Sequence, residues 1–127
     1  MEKLIEKAHG VAKEKGFWDE ERNVPEMLML VVSELSEALE ALRKGLYAEP
    51  FATAVLAEDL NNWDDSLKDA WKNGFEKAVK SSFEDEIADV AIRLFDMCGG
   101  LNISLEKHIE MKMKYNSLRP YKHGKKF

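Results

Sequence analysis

The clearest helical pattern in the chain is EMLMLVVSELSEALEALRK, residues 26–44. Its apolar residues recur at intervals of three and four, which is the period of one face of an α-helix. Asn23 and Glu26 form an N-x-x-E start signal, Pro25 is tolerated in the first turn, and Gly45 follows the last residue of the pattern. The stretch therefore predicts a long amphipathic helix that ends just before this glycine.

Three more helices are predicted before and after this one. Their signals are the same apolar spacing, glycines that end a helix, and a Ser-x-x-Asp start. They cover residues 2–15, 82–98 and 104–119. The middle one is expected to stop at Gly99-Gly100, and the last one loses regularity before Pro120, because the residue preceding a proline is pushed out of the α region.

Residues 46–80 give the least regular pattern. Pro50 and two asparagine-containing turns interrupt them, and one short amphipathic helix near Trp63 and Trp71 is predicted there. We therefore expect an all-α fold with a single domain over residues 1–127, built as a four-helix bundle core with a helical insertion.

Composition narrows the class of protein. A chain of 127 residues is long enough to bury a core without metals or disulfides as staples. Its single cysteine, Cys98, cannot form an internal disulfide, and no apolar run is long enough to cross a bilayer. The first residues alternate charged and apolar side chains, unlike the continuous apolar segment of a signal peptide. We expect a soluble, cytoplasmic protein that does not bind membranes.

The net charge of −5 hides an asymmetry along the chain. Residues 112–127 hold six Lys and Arg and no acid, so the first 111 residues hold 13 bases against 24 acids. The overall acidity argues against a nucleic-acid partner, but the basic end requires an explanation of its own.

Two carboxylates lie on the apolar side of the helix predicted over residues 26–44. At about 100° per residue, Glu34 falls among apolar neighbours, and Glu37 lies on the flank of the same face. A buried ionised carboxylate without a partner costs several kcal/mol, and two carboxylates repel each other. The pattern therefore indicates that a cation lies near Glu34 and Glu37.

The helix predicted over residues 82–98 repeats this arrangement. Glu86 borders its apolar side, and Asp89 lies about 60° further, followed by Arg93 and Asp96 on the polar stripe. Four carboxylates without nearby His or Cys make an all-oxygen site that suits Mg²⁺ or Mn²⁺, and Mg²⁺ often shares its coordination with substrate phosphates. The alternative is that these pairs, which are common in an acid-rich chain, lie on a solvated face.

The basic end has two interpretations. Lys112, Asn116 and Arg119 share one helix face, with Tyr115 beside them and Lys122 shortly after. These side chains can bind the phosphates of a substrate, because fixed cations stabilise the charge that develops in phosphoryl transfer. The alternative is a solubilising C-terminus.

Trp18 also has two interpretations. It can stack on a nucleobase, or it can fill the core at a junction between helices.

Three motifs resemble the MazG-like all-α nucleoside triphosphate pyrophosphohydrolases. They are SELSEALEALR at residues 33–43, FEDEIADV at residues 83–90 and KYNSLRPY at residues 114–121, with GFWD at residues 16–19 as a weaker match. The resemblance implies Mg²⁺-dependent hydrolysis of nucleoside or deoxynucleoside triphosphates to the monophosphate and pyrophosphate, in nucleotide-pool house-cleaning. It also implies a homodimer or homotetramer, and metal-binding roles for Glu34, Glu37, Glu86 and Asp89.

The sequence departs from that family in two places. The 48 residues between Glu37 and Glu86 exceed the usual separation, and Ser33 stands where some relatives carry a further glutamate. The number of metal ions therefore stays open, as does the choice of Glu34 or Glu37 as the general base that activates a metal-bound water.

Other functions are compatible with parts of the pattern. Phosphoribosyl-ATP pyrophosphohydrolase uses the same carboxylate chemistry. A di-iron site would need two Glu-x-x-His elements, of which only Glu6 and His9 supply one. A non-enzymatic helical interaction module with a basic tail would not need carboxylates on an apolar face.

Overall fold

The structure, a computed structural model, describes residues 1–126 apart from the side chain of His123. Over these residues the chain forms α-helices and short 3₁₀ turns and contains no strand. The helices are α1 (Glu2–Glu14), α2 (Val24–Arg43), α3 (Pro50–Asn61), α4 (Lys68–Ala78), α5 (Phe83–Gly100) and α6 (Leu105–Ser117), with 3₁₀ turns at Asp65–Leu67 and Tyr121–Gly124. The predicted all-α class is confirmed. No helix in this range is both long and apolar enough to cross a membrane.

The backbone divides into two compact units, which we describe separately. One unit combines residues 1–21 with those from Leu94 onward, and the other covers Arg22–Arg93. The division falls inside α5, between Arg93 and Leu94. The first unit buries Ile5, Met97 and Cys98, and the second buries Met27, Ala38, Ala41 and Leu56.

The start of α2 follows the sequence signal. The side chain of Asn23 accepts a hydrogen bond from the amide of Glu26 at 3.1 Å, and Pro25 lies in the first turn. Past the end of the helix, Gly45 adopts a φ of 65°, which glycine reaches without strain. The predicted N-x-x-E start is confirmed.

Residues 46–80 form two α-helices, whereas the sequence predicted only one. Pro50 does not interrupt α3 but begins it, since a first helical residue needs no amide donor. The carboxylate of Glu49 accepts from the amides of Phe51 and Ala52 at 3.0 and 2.6 Å and so caps this helix. The prediction missed α3 because it treated this proline as a break.

The predicted helix near Trp71 is α4, which packs on α3. The indole N–H of Trp71 donates to the carbonyl of Leu56 at 3.0 Å. Its ring stacks on Phe75, with centroids 5.4 Å apart, and meets Trp63 edge-on at 6.0 Å.

Hydrogen bonds place the start of α5 beside the connection that leaves α2. The amide of Phe83 donates to the carbonyl of Leu46 at 2.7 Å, and the amide of Ala48 donates to the Glu84 carboxylate at 2.9 Å. That backbone donor holds the pKa of Glu84 below its ordinary value. The two helices that carry the candidate metal ligands are thereby joined within one unit.

The hydrogen bonds at the start of α5 agree only in part with the predicted capping box. The Ser82 hydroxyl accepts from the amide of Asp85 at 3.2 Å, as predicted, but the Asp85 carboxylate accepts from the amide of Ser81 at 2.8 Å. Ser81 has a φ of 64°, which turns its amide toward that carboxylate.

The end of α5 differs from the prediction, because the helix continues through Gly99 and Gly100. A Cβ at Gly99 would lie 2.7 Å from the side chain of His9, and one at Gly100 would lie 2.2 Å from Trp18. These glycines therefore allow close packing inside the first unit and do not end the helix.

Candidate metal centre

The helix α2 buries a carboxylate within its apolar face. Glu34 is only 6% exposed and shares the buried side of the helix with Met27, Ala38 and Ala41. This agrees with the position that helical spacing gave it. Glu37, one turn further, is exposed.

The cation beside Glu34 is Arg93 of α5. Its Nε donates to Oε1 of Glu34 at 2.5 Å, and the arginine side chain is 38% exposed while the glutamate side chain is 8% exposed. The sequence required a cation near Glu34 but assigned Arg93 only to a polar stripe. The available signal was the seven-residue spacing from Glu86, which puts both residues on one face of α5.

Three of the four predicted metal ligands lie together. Glu34 of α2 and Glu86 and Asp89 of α5 each offer one carboxylate oxygen, and the three oxygens lie within 4.8 Å of one another. Neighbouring oxygens around an octahedral Mg²⁺ ion are about 3.0 Å apart, because each Mg–O bond is about 2.1 Å. The three side chains would therefore have to move closer together to coordinate one ion.

Glu37 lies beside this cluster without belonging to it. Burial is the largest cause that raises the pKa of Glu86, and the charge of Glu37, together with a hydrogen bond that protonated Glu86 donates to it, raises this pKa further. Glu37 therefore lies beside Glu86, and its own side chain is exposed.

The cluster carries more negative charge than Arg93 neutralises. Burial is the largest cause that raises the pKa of Glu86 to about 6, followed by the charges of Glu37, Asp89 and Asp85. Burial and neighbouring carboxylates also raise the pKa of Asp89, and Arg93 opposes this shift only in part. An all-carboxylate set with surplus charge matches hard divalent cations such as Mg²⁺ and Mn²⁺.

A second polar cluster lies in the other unit, around Asp96. This carboxylate is buried, and its Oδ1 accepts from Nε1 of Trp18 at 2.8 Å and lies 2.9 Å from Nδ1 of His9. The rings of His9 and Trp18 meet edge-on, with centroids 5.0 Å apart. The sequence placed Asp96 on the polar stripe of the helix and did not predict its burial, although Met97 and Cys98 beside it are apolar.

Three of the predicted substrate-binding residues lie together in the same unit. The ammonium of Lys112 lies 4.9 Å from the ring centroid of Tyr115, and the guanidinium of Arg119 lies 5.7 Å from it. The side-chain oxygen of Asn116 is buried and has no hydrogen-bond partner among the described residues. Lys122 lies over a different ring, that of Tyr121, at 5.8 Å.

The structure thus groups the predicted site residues into two sets. The carboxylates belong to the unit of residues 22–93, whereas Trp18 and the basic residues of the C-terminal part belong to the other unit. Comparison of the chain with protein-family models, curated proteins and solved structures gives no match.

Proposed function

We propose that the chain is a Mg²⁺-dependent nucleoside triphosphate pyrophosphohydrolase of the MazG-like type, which hydrolyses nucleoside or deoxynucleoside triphosphates to the monophosphate and pyrophosphate. The observation that carries the proposal is the approach of Glu34, Glu86 and Asp89 within 4.8 Å. These residues come from the E-x-x-E and E-x-x-D motifs on which the family resemblance rests. The proposal includes a cytoplasmic role in removing unwanted nucleotides.

The proposal also covers the arrangement of the helices. It assigns α1, α2, α5 and α6 to the four-helix core of that family, and α3 with α4 to the insertion between its metal-binding helices.

Each carboxylate has a distinct part in the proposed chemistry. A bound divalent ion would polarise the phosphates and lower the pKa of a coordinated water. Arg93 fixes the orientation of Glu34, which makes that residue a preorganised ligand. Glu86, with a pKa of about 6, is mostly ionised at neutral pH and can coordinate the ion.

Glu37 is the proposed general base. It is exposed and interacts with Glu86, so its carboxylate can accept a proton from a water held at the cluster. The basic side chains Lys112, Arg119 and Lys122 are proposed to neutralise charge on the phosphates.

Pyrophosphate release tests this proposal. We expect a panel of nucleoside triphosphates with Mg²⁺ to contain a substrate whose cleavage falls at least about 100-fold in Glu34→Gln and Asp89→Asn. Glu40→Gln is a matched control, because this glutamate lies on α2 but is exposed and pairs with Arg43 and Lys44 at the surface. Full metal-dependent activity in both cluster variants would refute the assignment. Phosphoribosyl-ATP belongs in the panel, because its preferential cleavage would indicate that the chain is a phosphoribosyl-ATP pyrophosphohydrolase instead.

A separate titration distinguishes the metal site from the catalytic step. Isothermal calorimetry with Mg²⁺ and Mn²⁺ should show binding that Glu34→Gln and Asp89→Asn weaken and that Glu37→Gln retains. Turnover in Glu37→Gln should nevertheless fall by about 100-fold or more, since general bases contribute rate factors of that size. Absence of divalent-cation binding in the wild type would favour a non-enzymatic interaction module.

A further inference from the structure

The first unit contains a buried carboxylate that the proposed metal chemistry does not use. Asp96 is 8% exposed, and its Oδ1 binds two ring nitrogens that lie 78 and 87 residues away in the chain, Nε1 of Trp18 and Nδ1 of His9. We call these three residues the Asp96 cluster. All of them belong to the unit formed by residues 1–21 and the chain from Leu94 onward, so one compact unit holds the whole cluster.

The helix α5 provides a surface that fits the two rings. Gly99 and Gly100 follow Asp96 after three and four residues, so the three positions share one face of the helix. A Cβ at Gly99 would lie 2.7 Å from the side chain of His9, and one at Gly100 would lie 2.2 Å from Trp18. Both side chains therefore pack against bare helix backbone beside the carboxylate that binds them.

The Asp96 cluster is unfavourable for folding in two respects. A glycine inside a helix is less favourable than an alanine, and a buried carboxylate loses the hydration that it has in the unfolded chain. Local departures from what favours folding are found mainly at functional sites. The combination of the two on one helix face indicates that the cluster has a role besides filling the core.

The hydrogen bonds of the cluster determine which nitrogen of His9 carries the proton. An ionised carboxylate has no proton to donate, so the 2.9 Å contact between Oδ1 of Asp96 and Nδ1 of His9 places the proton on Nδ1. In the neutral imidazole, Nε2 then has a lone pair and accepts hydrogen bonds. The His9 side chain is 18% exposed, and Nε2 has no hydrogen-bond partner among the described residues.

We infer that Asp96 is a positioning residue, which holds His9 with its proton on Nδ1 so that Nε2 accepts a hydrogen bond from the nucleoside part of the substrate. The nature of this substrate rests on the proposed function. Ionised phosphates only accept hydrogen bonds, whereas sugar hydroxyls and the N–H groups of bases donate them. A fixed acceptor at Nε2 therefore suits the nucleoside end of a nucleotide and not its phosphates.

Nitrogen NMR of the protein with isotope-labelled histidine tests the tautomer, because the two ring nitrogens have different shifts in the two tautomers. The signals of His9 are identified by their loss in His9→Gln. Under mildly alkaline conditions the wild type should carry the proton on Nδ1. In Asp96→Asn the amide oxygen can still accept from Trp18, but the amide NH₂ donates to Nδ1, so the proton should move to Nε2. A wild-type proton on Nε2 would overturn the inference.

Titration with uncleavable nucleotides shows whether Nε2 meets the nucleoside. The probes are the α,β-methylene analogues of the common deoxynucleoside triphosphates with Mg²⁺. Tripolyphosphate is the matched ligand control, because it has the phosphates without the nucleoside. At least one analogue should shift the Nε2 signal of His9, and tripolyphosphate should not. An Nε2 signal that responds to no analogue, or equally to tripolyphosphate, would contradict the inference.

Coupling between Asp96 and His9 distinguishes positioning from a general loss of structure. For a nucleotide that the chain cleaves, Asp96→Asn should raise KM at least about tenfold and leave kcat within about threefold, since the change affects binding. In a His9→Ala background, Asp96→Asn should change KM by less than about threefold, because the residue through which it acts is gone. Equal effects in both backgrounds would count against positioning.

A matched control and a folding check accompany these variants. Glu110 is exposed on α6 in the same unit, so Glu110→Gln, which also turns a carboxylate into an amide, should keep the wild-type KM. Circular dichroism shows whether each variant retains its helices. Nucleotide cleavage with an unresponsive Nε2 would overturn this inference and leave the proposed function intact. A shifted Nε2 signal without cleavage of any nucleotide would refute the proposed function and support the role of Asp96.

Discussion

At the scale of single residues, Arg93 explains how Glu34 can lie in an apolar helix face. A carboxylate that is 6% exposed would lose most of its hydration, and the guanidinium 2.5 Å away replaces that hydration with a charged hydrogen bond. Arg93 does not balance Glu86 and Asp89 as well, so the cluster keeps surplus negative charge. The ion pair of Arg93 with Glu34 thus stabilises one candidate metal ligand, while the uncompensated charge of the cluster can still attract a cation.

Removing the guanidinium should destabilise the metal-free protein. In Arg93→Met the buried Glu34 loses its ion-pair partner, and we expect the free energy of unfolding to fall by about 2 kcal/mol in EDTA. Arg43→Met is the matched control, because Arg43 and Glu40 form an exposed pair at 4.0 Å and its loss should cost under about 0.5 kcal/mol. Urea denaturation measures both changes, and Mg²⁺ should reduce the loss in Arg93→Met. Equal effects of the two substitutions would contradict a special role for Arg93.

Glu86 should make the stability of the metal-free protein depend on pH. Its pKa rises from 4.5 to about 6 in the folded state, so the folded protein binds the proton more tightly than the unfolded chain. The resulting stabilisation is fully present below pH 4.5 and is lost as the pH rises through 6. In EDTA, the free energy of unfolding of the wild type relative to Glu86→Gln should fall by about 1 kcal/mol across this window, after allowance for solvent screening. A pH-independent difference between the two proteins would contradict the shift.

At the scale of elements, the two halves of α5 belong to different units and have different surroundings. Its first half carries Glu86, Asp89 and Arg93, and its last turns carry Asp96 and the glycines that pack closely in the other unit. Helix periodicity correctly placed the charged residues of the first half. It predicted the wrong end for the helix, because a Gly-Gly pair usually indicates a helix end and the sequence does not show that these glycines pack against Trp18.

Gly100 should tolerate no side chain. In Gly100→Ala the new Cβ would lie 2.2 Å from Trp18, so we expect a loss of about 1–3 kcal/mol in unfolding free energy and a change in tryptophan fluorescence. Gly10→Ala provides the opposite control, because Gly10 lies within α1 and a Cβ there meets nothing within 4 Å. That substitution should stabilise the protein by about 0.5–1 kcal/mol. A neutral Gly100→Ala would show that the packing against Trp18 is loose.

The residues at the starts of two helices should contribute differently to the free energy of unfolding. Asn23→Ala removes the hydrogen bond to the amide of Glu26, and we expect a loss of about 1 kcal/mol on urea denaturation. Ser104 also stands at a helix start, that of α6, but its side chain makes no capping hydrogen bond. Ser104→Ala should therefore leave the stability almost unchanged, and similar losses in the two variants would contradict the assigned caps.

At the scale of the whole molecule, the sequence predicted what depends on local patterns and missed what depends on distant neighbours. The all-α class, the start of α2 and the burial of Glu34 follow from spacing and capping within one helix. The pairing of Arg93 with Glu34 and the burial of Asp96 join residues far apart in the chain, and no local pattern specifies them. The missed helix α3 has a different cause, since Pro50 is compatible with both a break and a helix start.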